Sequence, residues 1–186
     1  MHEIIDKAVA VLKAGGTLLY PTDTIWGIGC DARNAEAIEK IYAIKQRDHA
    51  KSMLILCTES LLADCSWATE TDSRPTTYIL PASVWRPLFT EPLASNLPAD
   101  NGSLGIRIVS HDFCKQTIEA LGAPIVSTSA NLSGEPSPAT HAEIDPALMA
   151  RIDYCVPPEP QWISGEGRGS RIVLVDEDGT HTIIRP

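Results

Sequence analysis

Apolar residues at Ile4, Ile5, Ala8, Val9 and Leu12 recur at the spacing of one helical face, and Gly15-Gly16 supplies a stop, so the chain opens with a predicted amphipathic helix. A short strand follows at 17–20, closed by Pro21, which lacks the amide proton a central strand would donate. Asn34 is a helix cap, and Ile38, Ile41, Tyr42 and Lys45 fall on one face of the helix after it, so the core-facing stripe ends in a lysine. Residues 53–57 form the next apolar strand. Thr58 then caps a helix carrying Leu61 and Leu62. Residues 76–80 have strong β character and stop at Pro81. The proline-rich stretch 81–98, with Trp85, Leu88 and Phe89 as anchors, predicts an irregular surface excursion.

Asp100-Asn101-Gly102 is a turn signal leading into a strand at 104–109. In that strand Leu104, Ile106 and Ile108 share one face, which leaves Gly105 and Arg107 on the other. Asp112 caps a helix with Phe113, Thr117, Ile118 and Leu121 inward, and Gly122 ends it. Pro124-Ile125-Val126 starts a strand running into a serine-rich string, and residues 146–152 read as helical. Finally Asp178-Gly179 joins strands at 171–175 and 182–185 as a hairpin. Helices alternate with strands early and hairpin signals dominate later, which predicts a mixed α/β or α+β fold in one domain, 1–186.

Composition narrows the function classes. Charged residues make up 21% and apolar ones 44%, as in a globular protein. The N-terminal segment is amphipathic and mixed in charge rather than signal-like, and nothing approaches a membrane span, so a cytoplasmic protein is expected. A net charge of −9 disfavours duplex nucleic acid as the main partner, because phosphate contacts need a basic face. Five scattered cysteines without a Cys-x-x-Cys pair suggest neither a disulfide framework nor a zinc site.

The candidate chemistry lies in residues 20–56. Thr22, Asp23 and Thr24 stand at a strand end, Gly27 and Gly29 flank Ile28, and Lys45, Arg47 and Lys51 cluster before the next strand. If the strands at 17–20 and 53–57 are neighbours, the cations meet the mouth of the threonine loop, a candidate site for a phosphate-bearing ligand. Lys45 and Arg47 are equally suited to be capping charges at a helix C-terminus. Far downstream, Ser127-Thr128-Ser129-Ala130-Asn131-Leu132-Ser133-Gly134 puts small hydroxyl and amide groups at a strand end, which fits either a ligand surface or a turn.

The order Pro-Thr-Asp-Thr, aromatic-Gly-x-Gly, Lys45-x-Arg47 and Lys51, followed by that serine-rich string, resembles the YrdC-like threonylcarbamoyl-AMP synthases in their short, single-domain form, over nearly the whole chain. The resemblance implies a twisted, largely antiparallel or mixed sheet with flanking helices, curved around a large positively lined cavity. It implies that L-threonine, bicarbonate and ATP are joined into threonylcarbamoyl-adenylate with release of pyrophosphate. A threonine-borne carbamate oxygen attacks the α-phosphorus and no covalent enzyme nucleophile is needed, so positioning and charge neutralisation carry the catalysis. On this resemblance Lys45 and Arg47 are catalytic, and Arg47, Lys51, Ser103, Ser129, Asn131, Ser137 and Arg185 bind nucleotide. Thr24, Arg107, Ser127 and Ser170 surround the threonine, and Mg²⁺ accompanies ATP. The product goes to a separate tRNA threonylcarbamoyl transferase complex, and a weak contact with double-stranded RNA comes with the family.

Three departures stand out. Arg74-Pro75 replaces a Pro-Gly pair before the strand at 76–80, and Arg171 replaces the threonine of Ser-Thr-Val, leaving the hydroxyl partner of Ser170 open. Leu56 stands where some members have a substrate-contacting histidine and others an aliphatic residue. The alternatives are a nucleotide- or RNA-binding relative without synthase chemistry, and a carbamoyl-transfer maturation module of the kind found inside much longer chains.

Overall fold

The computed structural model describes residues 2–46, 48, 53–69, 72–162 and 167–186. Helix α1 (His2–Lys13) buries Ile5, Ala8, Val9 and Leu12, as its apolar stripe requires. Strands β1 (Leu18–Tyr20) and β2 (Gly27–Gly29) follow, and then α2 (Ala35–Lys45), capped where Ala37 N donates to Asn34 Oδ1 at 3.0 Å. Next come β3 (Leu54–Cys57), β4 (Thr76–Leu80), a short α3 (Ala82–Trp85), β5 (Leu104–Ile108), α4 (Asp112–Leu121) and β6 (Ile125–Ser129). The remaining elements are α5 (Pro146–Met149), β7 (Tyr154–Cys155), β8 (Arg171–Val175) and β9 (His181–Arg185).

The strands join in the order β7-β1-β2-β6-β3-β5-β4-β8-β9. The pairs β1/β7, β3/β5 and β4/β8 are parallel and the other five antiparallel, so the sheet is mixed and mostly antiparallel. Strand β6 joins its two halves: Thr128 and Ser129 pair with β2, while residues 125–127 pair with β3. Cross-strand partners share a face and alternate residues return to it. The register Gly27↔Ser129, Ser127↔Leu54, Leu54↔Gly105, Gly105↔Ile79 and Thr77↔Ile172 therefore puts a row of small, hydroxylated and apolar residues on one face.

Helices α1 and α4 cover one end of that face, burying Tyr20, Leu56 and Ile125 beneath Leu12, Phe113 and Ile118. The rest of it is left for the cavity. The opposite face packs Leu19, Ile28, Ile55, Leu104, Ile106 and Val126 against Ile38 and Ile41 of α2.

Four expectations change. The strands at 17–20 and 53–57 are not neighbours, because β2 and β6 lie between them, and the Gly27-Ile28-Gly29 segment is itself a paired strand. The stretch 81–98 is not merely irregular, since it holds α3 and a 3-10 turn and buries Trp85, Leu88 and Leu97. His111 rather than Asp112 occupies the N-cap of α4, and Thr58 starts a 3-10 turn, Glu59–Leu61, without a side-chain capping bond.

Gly29 shows why β2 is built on glycine. A Cβ there would sit 1.9 Å from Val126 O and 2.9 Å from the Tyr20 ring, whose hydroxyl donates to the same carbonyl at 2.9 Å. Glycine is demanded by close packing of β1, β2 and β6. Gly29→Ala should cost at least about 3 kcal/mol in urea denaturation, because the added methyl meets backbone that cannot rotate away; an unchanged midpoint would contradict this packing.

Candidate functional site

A cavity of about 430 Å³ occupies the uncovered part of the sheet face, floored by Leu54, Gly105, Arg107, Thr77 and Ile79. Gly105 keeps the floor low, since a Cβ there would stand 3.2 Å from that of Leu54. At one end the Thr22–Thr24 loop has a defined hydrogen-bond polarity. Thr22 Oγ1 donates its single proton to Ile25 O at 2.7 Å and accepts from Thr24 N at 3.1 Å. In the 3.0 Å contact between the two hydroxyls Thr24 must therefore donate, which leaves its lone pairs to accept from a ligand.

Beneath this loop Arg107 is 3% exposed, with its NH2 3.1 Å from Asp23 Oδ1. Asp23 Oδ2 accepts from Ser110 N at 3.4 Å. Arg107 Nε is buried without a hydrogen-bond partner, so an anion-binding guanidinium lies at the cavity floor only partly satisfied. Ser127 lies beside it, also buried. Burial pushes the Tyr20 phenol well above its ordinary value, with Cys114 adding to the shift, which keeps it a neutral donor behind the wall.

At the other end Ser170, 2% exposed, shares a 2.7 Å hydrogen bond with Thr77. Thr77 is the hydroxyl partner that the arginine at 171 had left open. Arg171 turns away from the cavity to pair with Asp72, its NH1 donating to Oδ1 at 3.2 Å. Arg185 reaches back from β9 to donate to Ser170 O through Nε at 2.9 Å and NH2 at 2.7 Å. Its pKa is lowered first by burial and then by the charges of Arg107 and Arg74, so these cations share one electrostatic field. Ser103, Ser129 and Ser137 also line the cavity.

The structure thus brings Thr24, Arg107, Ser127, Ser170, Ser103, Ser129, Ser137 and Arg185 around one space. Lys45 does not line it. Its ammonium, 1% exposed as a side chain of the core stripe, donates to the carbonyls of Ser129 and, at 2.6 Å, of Asn131, while Lys45 O accepts from Ser133 N at 3.0 Å. The lysine is a clamp beneath the serine-rich loop. Asn131 ties the same loop by donating to Leu132 O and Glu135 O, and borders a smaller cavity of about 240 Å³ that shares Ser137. Arg47 and Lys51 lie outside the described residues. Sequence reasoning assigned no role to Asp23, Thr22 or Thr77; the Thr-x-Thr spacing around an aspartate was the available signal for the first two.

No group of His, Cys, Asp or Glu among the described residues could hold a metal ion. Burial pushes the Cys30, Cys57 and Cys114 thiols up, so they are inert core groups. No helix among the described residues is long and apolar enough to cross a membrane.

A cavity walled by hydroxyls and floored by arginine, on a curved mixed sheet, defines a binding protein for a small anionic ligand. The Sua5/YciO/YrdC family model, described as "Telomere recombination", matches residues 10–186, and the chain belongs to that family. It is 36% identical over 161 residues to a threonylcarbamoyl-AMP synthase of Xanthomonas campestris pv. campestris, covering 80% of this chain and 82% of that protein. P. abyssi Sua5 superposes with a TM-score of 0.78 at 22% identity, covering 98% of this chain and 56% of that one. The same protein complexed with L-threonine gives 0.73 at 22% identity, covering 91% of this chain and 50% of that one. E. coli YciO gives 0.75 at 23% identity, over 100% of this chain and 89% of that one. This chain thus spans about half the length of the Sua5 chains, and the structural likenesses establish the fold.

Lys45→Met keeps the stem of the side chain and removes the ammonium, leaving two carbonyls without their charged donor. It should lower stability by about 2 to 3 kcal/mol, read as a shift in the denaturant midpoint. A variant of unchanged stability would show that Lys45 does not hold the loop.

Proposed function

We propose that the chain is an L-threonylcarbamoyladenylate synthase, forming threonylcarbamoyl-AMP and pyrophosphate from L-threonine, bicarbonate and ATP. The observation that carries this reading is one cavity with two differently built ends. At the first, Arg107 offers a guanidinium to a carboxylate, Thr24 offers an acceptor to an amine or hydroxyl, and Ser127 lies alongside. At the second, Arg185, Ser129, Ser137 and Ser103 offer a cation and hydroxyls to a nucleotide. The similarity to a curated threonylcarbamoyl-AMP synthase, and to a Sua5 complexed with L-threonine, supports the same assignment.

The threonine carbamate and the α-phosphate meet between these ends. The residues hold both groups in line and neutralise the charge that builds on the phosphates, which is where the rate enhancement arises. In this reading Arg47 and Lys51 contact the phosphates. Lys45 acts on the nucleotide through the loop it clamps. Mg²⁺ enters with ATP as part of the substrate, carried on phosphate oxygens. The product passes to a tRNA-modifying transferase in the cytoplasm. Double-stranded RNA is a minor partner at most for a chain of net charge −9.

A planar guanidinium grips both oxygens of a carboxylate, whereas lysine offers a point charge. Arg107→Lys should therefore raise the threonine KM about tenfold in a pyrophosphate-release assay, with ATP binding unchanged. A wild type whose pyrophosphate release does not depend on threonine would overturn the synthase assignment.

A further inference from the structure

The cavity poses a sorting problem. Arg107 and Arg185 lie in one electrostatic field, yet a nucleotide triphosphate and an amino acid must occupy different ends of it. A polyphosphate is attracted to every exposed cation more strongly than a carboxylate is, in proportion to its charge. Two equal cationic ends would let phosphate occupy the amino-acid end and block it. The two ends are not equal. Arg185 is exposed at the mouth, and its described hydrogen bonds run to Ser170. Arg107 is buried and has a carboxylate beside it, Asp23, whose own side chain is 7% exposed.

The Asp23–Arg107 contact is of an unusual kind. The NH2 to Oδ1 distance is 3.1 Å, but Asp23 Oδ1 is without a hydrogen bond of good geometry and Arg107 Nε is without any partner. Asp23 therefore lowers the positive potential at Arg107 from the NH2 side and leaves Nε without a hydrogen-bond partner. Its carboxylate is held from outside the pair by Ser110 N, and the loop that carries it is tied by the Thr22 hydroxyl to Thr24 N and Ile25 O.

We propose that Asp23 is a specificity-determining residue that reserves Arg107 for a singly charged carboxylate and keeps phosphate groups off it. This rests on the synthase reading for the identity of the two ligands, but the physical claim concerns Arg107 alone. A carboxylate bears one negative charge, so at a given distance it gains one unit of attraction to Arg107 against one unit of repulsion from Asp23. A phosphate bears about two, so it would be favoured about twofold at an arginine standing alone, and Asp23 cancels that advantage by repelling it twice as strongly at the same distance. The amino group of an amino acid adds an attraction to Asp23 that phosphate lacks. Phosphate is thereby left to the Arg185 end.

The test uses inorganic phosphate as the probe, titrated calorimetrically into wild type, Asp23→Asn, Asp23→Glu and the double variant Asp23→Asn, Arg107→Ala. Asp23→Asn should bind phosphate at least about tenfold more tightly than wild type, a difference of about 1.4 kcal/mol. The gain should vanish in the double variant and be absent in Asp23→Glu. In turnover, phosphate should become a competitive inhibitor against threonine in Asp23→Asn, with the KM for ATP unchanged. Should Asp23→Asn be too unstable for calorimetry, the same preference is read as a larger phosphate-dependent rise in its Tm than in that of wild type. A merely structural role for Asp23 predicts weaker binding of every ligand and no gain. Equal phosphate affinity in wild type and Asp23→Asn, or a gain that survives loss of Arg107, overturns the proposal. A wild type that ignores threonine overturns the synthase reading instead, while the phosphate titrations still decide the role of Asp23.

Discussion

The buried ammonium of Lys45 is the contact on which the cavity wall depends. A lysine at the end of a helix's core stripe cannot stay charged in an apolar interior unless its protons are taken. Here the carbonyls of Ser129 and Asn131 take them, while the lysine's own carbonyl receives Ser133 N. Helix α2 and the loop after β6 are thus pinned together at both ends of one residue. The chain then leaves α2 through Gln46 at φ 48°, a left-handed conformation uncommon for a residue with a side chain, which a shared anchor on either side helps to hold. Because β6 also joins the two halves of the sheet, the position of this loop fixes where the hydroxyls of Ser127 and Ser129 stand relative to the floor.

The electrostatics follow from the same economy of groups. The chain as a whole carries −9, but its cavity gathers Arg107 and Arg185. Each is oriented by a partner that leaves it able to bind: Asp23 beside one, and Ser170 O for the other. The hydroxyls are similarly pre-set, with Thr22 fixing the polarity of Thr24 and Thr77 holding Ser170. A site assembled in this way spends little reorganisation when substrates arrive, which is what chemistry without a covalent nucleophile requires.

Features governed by short-range pattern were legible in the sequence. Alternation in 104–109 put Gly105 and Arg107 on the face opposite Leu104 and Ile106, and in the structure that face is the cavity floor. The helical stripe ending in Lys45 was equally plain. Long-range pairing was not legible. Nothing local states that β2 and β6 intervene between β1 and β3, and in a three-residue strand of Gly-Ile-Gly the two glycines outweigh the one β-branched residue that could announce it. For the same reason the partner of Lys45, 84 residues away, and that of Ser170, 93 residues away, could not be read from spacing. The arginine at 171, a departure within the Ser-Thr-Val stretch, is absorbed by Asp72 across the β4/β8 edge and leaves the cavity hydroxyls intact.

The central claim is that one cavity joins an amino acid, a one-carbon unit and a nucleotide. Incubation with ATP, L-threonine and ¹³C-bicarbonate, followed by mass spectrometry, tests it most directly. The account predicts a threonylcarbamoyl-adenylate that carries the label and forms only when all three substrates are present; ATP consumption without a labelled adenylate, or an adenylate that forms without bicarbonate, would contradict it.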